Sequence, residues 1–256
     1  MISYKSGQEI AKMQRAGAIT FAALRAVKAA TRPGVSTLEL DAIAEEVIRS
    51  AGAKPNFKGY NGFPSTICAS LNDVVVHGIP ARSAILKEGD ILSVDCGAIW
   101  EGYHGDAART YPVGEISKEA ALLIERTRNS FYEGLRFARS GFRIGDISAA
   151  IQGYCEGFGY GVVRVLCGHG IGQEMHEDPE VPNFGRAGKG MKLSAGLTLA
   201  IEPMIAAGGY AVYRAQDGWA YHTKDHSLAA HYENTICVRE EGPSLILTIP
   251  PGEDDL

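Results

Sequence analysis

Apolar residues recur along the chain at two different periods, and the switches between them mark out the elements. Ser6-Gly7-Gln8-Glu9 is a Ser-x-x-Glu capping box, the pairing that satisfies free backbone donors at a helix start. After it Ile10, Met13, Gly17, Phe21, Leu24 and Val27 follow at spacings of three and four, which predicts an amphipathic helix ending near Ala30. Arg32-Pro33-Gly34 breaks the pattern. Ser36 and Glu39 form a second capping box, opening a helix with Leu40, Ile43, Val47 and Ile48 on one face and Gly52 as its terminator. The period then changes to two. Over residues 90–100, Leu92, Val94 and Cys96 alternate with Ser93 and Asp95, the signature of a strand. A turn at Glu101-Gly102 leads to a return strand over 103–113. Ser117 caps a long helix carrying Ala121, Ile124, Phe131, Leu135 and Ala138, and a shorter helix follows over 146–157. From Val162 to Leu247 the pattern is short strands and glycine-rich turns.

A weak repeat runs through this order at an offset of 107: Gly34 aligns with Gly141, Leu40 with Ile147, Ala44 with Ile151 and Gly52 with Gly159. Two copies of helix, helix, strands imply an α+β fold with pseudo-two-fold symmetry. The length of 256 residues suits one or two domains, and the chain reads as a single domain with halves of about 1–113 and 114–256.

Composition removes several function classes. The net charge of −5 supplies no footprint for nucleic acid. No apolar stretch approaches the ~18 residues of a membrane span, and the N-terminus carries no apolar signal core. The cysteines Cys68, Cys96, Cys155, Cys167 and Cys237 are odd in number and form no Cys-x-x-Cys, which disfavours a disulfide scaffold and fits a reducing compartment.

The candidate chemistry lies in the strand-rich regions. Asp95 sits in the apolar run Ile91-Leu92-Ser93-Val94-Asp95-Cys96, where an unpaired buried charge is costly and calls for a cation or a hydrogen-bond network. Asp106 lies on the return strand, so a hairpin can bring the two carboxylates together, and a divalent ion between them relieves their repulsion. The alternative is a plain hairpin with one capped and one solvated aspartate. His169 stands among glycines in Gly168-His169-Gly170-Ile171-Gly172, with His176 seven residues on. Each histidine reads equally as a core residue or as a ligand. Glu202, fixed by Pro203 at the end of an apolar strand, and Glu233 read singly as edge-strand charges. Together, Asp95, Asp106, His169, Glu202 and Glu233 form a hard, oxygen-rich set suited to a pair of divalent ions such as Mn²⁺, Fe²⁺, Co²⁺ or Zn²⁺.

The order of these five residues resembles the metal-ligand set of the methionine aminopeptidases. The resemblance spans roughly residues 5 to 248, through Val76-His77-Gly78-Ile79-Pro80, Asp95-Cys96-Gly97, His104-Gly105-Asp106, Cys167-Gly168-His169-Gly170-Ile171-Gly172, His176-Glu177-x-Pro179, Ile201-Glu202-Pro203 and Glu233-Asn234-Thr235. It implies the pita-bread fold, an antiparallel sheet covered by helices, and two divalent ions. It further implies that Asp95 serves one metal, that Asp106 and Glu233 bridge both, and that His169 and Glu202 complete the other shell. Glu202 would also be the general base. His77 would contact the scissile amide, and His176 would stabilise the oxyanion. The methionine side chain would lie among Tyr60, Phe63, Cys68, Met175 and Trp219, with Phe57 nearby.

Three positions depart from the bacterial pattern. Asn61 replaces a common His, Met175 a common aromatic and Phe63 a common Tyr. They bear on pocket shape, not on the reaction. The chain resembles the minimal type I form, without a Cys-rich N-terminal extension or the ~60-residue helical insertion of type II. The resemblance implies a cytoplasmic monomer that takes initiator methionine from peptides and nascent chains with a small second residue. It leaves contact with the ribosome open. Two other readings remain at this point: a proline-specific aminopeptidase or prolidase, whose large N-terminal domain is missing here, and a non-catalytic binding module, which the retained ligand set disfavours.

Overall fold

The computed structural model describes residues 2–256. In the first half, helices α1 (Gly7–Ala30) and α2 (Thr37–Ser50) precede strands β1 (Lys54–Pro55), β2 (Ile67–Leu71), β3 (Val74–Val76), β4 (Ile91–Trp100) and β5 (Tyr103–Pro112). The second half starts again with helices, α3 (Lys118–Leu135) and α4 (Ile144–Glu156). Its strands are β6 (Gly161–Val162), β7 (Gly168–Gly170), β8 (Glu177–Val181), β9 (Thr198–Ile201), β10 (Met204–Ala206), β11 (Val212–Arg214), β12 (Tyr221–Thr223), β13 (Ala229–His231), β14 (Asn234–Cys237) and β15 (Leu245–Ile246).

Local chemistry sets the helix starts. At both Ser6 and Ser36 the reciprocal capping box forms, with Glu9 and Glu39 reaching back to the cap backbone. Ser117 accepts from Ala120 N at the head of α3. Gly52, with φ 77°, closes α2 as expected. The end of α3 differs from the sequence pattern. The helix stops at Leu135, and Ala138 lies beyond it in tighter turns, where Phe137 N donates to Gly134 O and Ala138 N to Leu135 O. Ala138 is still fully buried, because these turns pack on the same core. The short helix begins at Ile144, two residues before the expected start, with the Asp146 carboxylate accepting from Arg143 N at 2.8 Å.

The repeat is real at the level of the helices. Displaced by 107 residues, α2 falls on α4, Thr37 on Ile144 and Ser50 on Gly157, one residue past that helix's end. In the first half α1 and α2 cover a sheet in which β4 is flanked by β5 on one edge and by β2 and β1 on the other. In the second half α3 and α4 pack on the strand orders β15-β14-β9-β7-β8 and β13-β10-β6. A small sheet, β11-β12-β3, joins the two halves.

The expected alternation on β4 holds on its helix side, where Leu92, Val94 and Cys96 belong to the core under α1 and α2. The opposite face is enclosed too. There Ser93 is bonded to Thr110 at 2.8 Å, and the face turns towards the second half.

Backbone meets backbone where α1 crosses β5. A Cβ at Gly105 would sit 2.6 Å from the Gly17 amide nitrogen, and Gly105 O accepts from Thr20 Oγ1 and from Asn56 Nδ2, each at 3.2 Å. Gly105 immediately precedes Asp106, so this close approach sets the depth of that carboxylate. Gly105→Ala forces the helix off the strand. Overpacking of this kind costs ~1–3 kcal/mol, which lowers the melting temperature by ~3–10 °C for a chain of this size. Thermal unfolding of the variant checks this; an unchanged melting temperature contradicts the packing.

Candidate active site

The two halves meet along the strands that carry the carboxylates. On β4, Asp95 lies opposite Ala108 of β5, so Asp106, two residues earlier on β5, is its diagonal neighbour on the same face. Strand β5 is then tied to the second half at this level. Asp106 N donates to Thr235 Oγ1 and Thr235 Oγ1 donates to Asp106 O, both at 2.9 Å. Glu233 N donates to Ala108 O at 3.0 Å, and Ala108 N to Glu233 O at 3.3 Å. These bonds put Glu233 beside Asp106. On the other side β7 pairs with β9, His169 opposite Ala200, which leaves Glu202 just past the strand end with its Oε1 3.6 Å from His169 Nε2.

The tautomer of His169 is settled by its neighbour. Its Nδ1 lies 2.8 Å from the carbonyl oxygen of Gly170, which can only accept. The ring proton is therefore on Nδ1, and the Nε2 lone pair faces the carboxylates, as a metal-ligating imidazole requires. One ligand atom from each of Asp106, His169 and Glu233 lies within 4.8 Å of the others.

The cluster is electrostatically incomplete by itself. Asp95 Oδ1, Asp106 Oδ1 and Glu233 Oε1 are buried without a hydrogen-bond partner. Burial pushes Asp95 up to about 7 and drives Asp106, Glu202 and Glu233 well above the carboxylate range, with their mutual repulsion adding to it. Burial likewise takes His169 down to about 3. Partnerless carboxylate oxygens facing an imidazole lone pair are the donor set that divalent cations satisfy, so the residues fit such ions.

Beside the cluster opens a cavity of about 190 Å³. All the residues expected to form the site reach it. Asp95, Asp106, His169, Glu202 and Glu233 line one end together with His77 and His176, while Phe57, Tyr60, Phe63, Cys68, Met175 and Trp219 line the other. The apolar wall is a packed group in its own right, with the Phe63 and Trp219 rings edge to face at 5.1 Å. Phe63 and Met175, which depart from the bacterial pattern, are both buried in it.

The two further histidines are held by different means. His77 follows β3 with φ 61°, a left-handed conformation that is costly for a residue with a side chain. Burial, with the nearby His176 charge, lowers its pKa to about 4, so the ring is neutral at pH 7. His176 sits in a turn tied by Glu177, whose carboxylate accepts from Gln173 N at 3.0 Å and Glu174 N at 3.3 Å and pairs with the buried Lys5. Burial lowers the pKa of His176 as well.

Sequence reasoning missed two residues. Asn61 lines the cavity, although it was singled out only as a departure. His231 is buried with its Nε2 unpartnered, 3.8 Å from Glu202 Oε2. Its signal was available: it lies two residues before Glu233, the spacing that puts alternate side chains of a strand on one face.

Comparison with known proteins agrees with this geometry. The model of metallopeptidase family M24 matches residues 11–240. The chain is 54% identical to the methionine aminopeptidase of Clostridium acetobutylicum, over 96% of this chain and 98% of that one. It is 47% identical to methionine aminopeptidase 1 of Bacillus subtilis, over 97% and 100%. The crystal structure of methionine aminopeptidase from Thermotoga maritima superposes with a TM-score of 0.95 at 43% identity, covering 97% of this chain and 99% of that one. The prolidase of Pyrococcus furiosus shares the fold, with a TM-score of 0.77 at 22% identity, covering 96% of this chain and 65% of its own. A cluster that fits divalent ions, an apolar pocket beside it and these relatives converge: the chain belongs to the M24 metallopeptidases and, among them, to the type I methionine aminopeptidases.

Proposed function

We propose that this aminopeptidase removes the initiator methionine from peptides and nascent chains with a small second residue, using two divalent ions. The observation that carries the reading is the set of orphaned buried oxygens on Asp95, Asp106 and Glu233. They face the fixed lone pair of His169 at the end of an apolar cavity. Asp95 would hold one ion and His169 and Glu202 the other, with Asp106 and Glu233 contributing to both. Bound there, the ions supply Lewis acidity and an activated water at neutral pH.

The remaining steps belong to the side chains. Glu202 is also the general base that takes the proton of the attacking water. His176 donates an N–H to the carbonyl oxygen as negative charge develops on it, a contact of this kind being worth ~3 kcal/mol. His77, rigid in its left-handed turn and neutral, contacts the scissile amide and crowds the second residue, which favours small side chains there. The apolar wall excludes water and holds the methionine side chain.

The two halves, about 1–113 and 114–256, act as one catalytic domain. The first contributes His77, Asp95 and Asp106, the second His169, His176, Glu202, Trp219 and Glu233. No helix among the described residues is long and apolar enough to cross a membrane, and all the cysteines are free. By its likeness to the bacterial methionine aminopeptidases we infer a monomer working in the cytoplasm. Fe²⁺, Mn²⁺, Co²⁺ and Zn²⁺ all suit the donor set.

The assay that tests the reading is methionine release from Met-Gly-Met-Met by protein stripped of metal and reloaded with each ion. Release that depends on metal and stops when the amino terminus is acetylated is the expected result. Release of residues from Xaa-Pro peptides instead would move the assignment to a prolidase. Asp106→Asn lowers kcat by at least ~100-fold, the range set by lost metal-site contacts. In the metal-free protein it does not lower the melting temperature, since it removes one of several repelling charges. Activity near the wild type would contradict the ligand assignment. Trp219→Ala, which opens the pocket wall away from the ligands, raises KM for Met-Gly peptides by ~10-fold, the scale of lost apolar pocket contacts. Metal uptake is unchanged, and calorimetry on the same variant checks that half of the prediction.

A further inference from the structure

The loop at residues 57–63 is closed on itself. Tyr60 N donates to Phe57 O and Phe63 N to Tyr60 O, each at 2.9 Å, and Gly59 N donates to Phe63 O at 2.8 Å. Its turn needs left-handed backbone at three places, Gly59 with φ 89°, Asn61 with φ 49° and Gly62 with φ 86°. Asparagine is among the few residues with side chains that visit this region readily. The loop therefore holds Tyr60 from both sides by its backbone.

The hydroxyl of Tyr60 lies 2.8 Å from Nδ1 of His176, with the two rings 5.4 Å apart and tilted by 35°. His176 also packs against His169, ring centroids 4.2 Å apart. Its imidazole is thus fixed by a phenol at Nδ1 and by the ring of a ligand histidine. Nδ1 is occupied by protein, which leaves Nε2 for the substrate.

We propose that Tyr60 is a positioning residue for the reaction: its O–H donates to His176 Nδ1 and so places the ring proton on Nε2, where it can meet the oxyanion. This rests on the reading of His176 as the oxyanion donor. A neutral imidazole has one proton, and the partner at one nitrogen decides where it sits. The reverse bond, Nδ1–H to the phenol oxygen, would turn a bare Nε2 lone pair towards the developing negative charge.

Donor and acceptor strengths select the productive direction. Burial and then the charge of Glu174 raise the Tyr60 pKa, so the phenol keeps its proton. A phenol O–H is a stronger donor than a neutral imidazole N–H, and an imidazole nitrogen a stronger acceptor than a phenol oxygen, so the 2.8 Å bond runs from Tyr60 to Nδ1. Asn61 supplies the left-handed position of the turn that holds the phenol there.

The experiment combines spectroscopy with kinetics on the full chain. In Zn²⁺-loaded protein labelled with ¹⁵N in histidine, His176 shows a protonated Nε2 and a bare Nδ1. In Tyr60→Phe the two tautomers mix. With Met-Gly-Met-Met, Tyr60→Phe lowers kcat ~10-fold, part of the full value of an oxyanion donor. KM stays within ~2-fold of the wild type, because the aromatic ring remains in the pocket wall. His176→Ala lowers kcat ~100-fold, and adding Tyr60→Phe to it causes no further loss, because the two act as one unit. A protonated Nδ1 in the wild type overturns the positioning role. So does an unchanged kcat in Tyr60→Phe beside an impaired His176→Ala, a result that leaves the oxyanion reading standing. An unimpaired His176→Ala overturns both.

Discussion

Buried carboxylates that repel one another are the constraint on which the rest of this structure depends. Asp95, Asp106, Glu202 and Glu233 converge in a space from which water is largely excluded, and three of them leave oxygens with no partner. Such an arrangement is unfavourable by itself, because burial and repulsion both oppose the charged forms. It persists because the surrounding chain leaves it no room to relax. The Thr235–Asp106 pair of bonds, the Glu233–Ala108 ladder and the contact of Gly105 with α1 pin the backbone on each side. Stability is given up at the cluster and recovered in the two helix-covered cores that flank it.

The same fixing explains how the site keeps its histidines in separate roles. His169 is committed as a ligand by the carbonyl of Gly170. His176, only seven residues on, has its Nδ1 against the Tyr60 hydroxyl instead. His77 is set by strained backbone, with its ring edge to face against Tyr221 at 6.1 Å. Three imidazoles around one cavity thus differ in what each ring nitrogen is free to do, and the differences come from neighbours outside the reacting centre.

Much of this was legible in the sequence, for local reasons. The two Ser-x-x-Glu boxes fix helix starts with side chains three residues apart, and both form. The alternation from Leu92 to Cys96 gave the sidedness of β4, and the offset of 107 that relates α2 to α4 also carries Asp95 onto Glu202. What the sequence hid was long-range. The α3 helix stops at Leu135 because tight turns can keep Ala138 on the core without a helix, and periodicity cannot tell these apart. Strands β5 and β14 are joined between residues more than a hundred positions apart, through a threonine hydroxyl that no local pattern announces. Tyr60 read as pocket wall because only folding brings its hydroxyl to His176. His231 was overlooked although its spacing from Glu233 placed it on the ligand face.

The claim that this cluster is a two-metal centre is tested most directly by anomalous diffraction from crystals of the protein loaded with Mn²⁺. The account predicts two anomalous peaks ~3.5–4 Å apart, each within coordinating distance of carboxylates from the set Asp95, Asp106, Glu202 and Glu233, and one of them against His169 Nε2. Density with no peak at these residues, or with peaks only elsewhere on the chain, would contradict it.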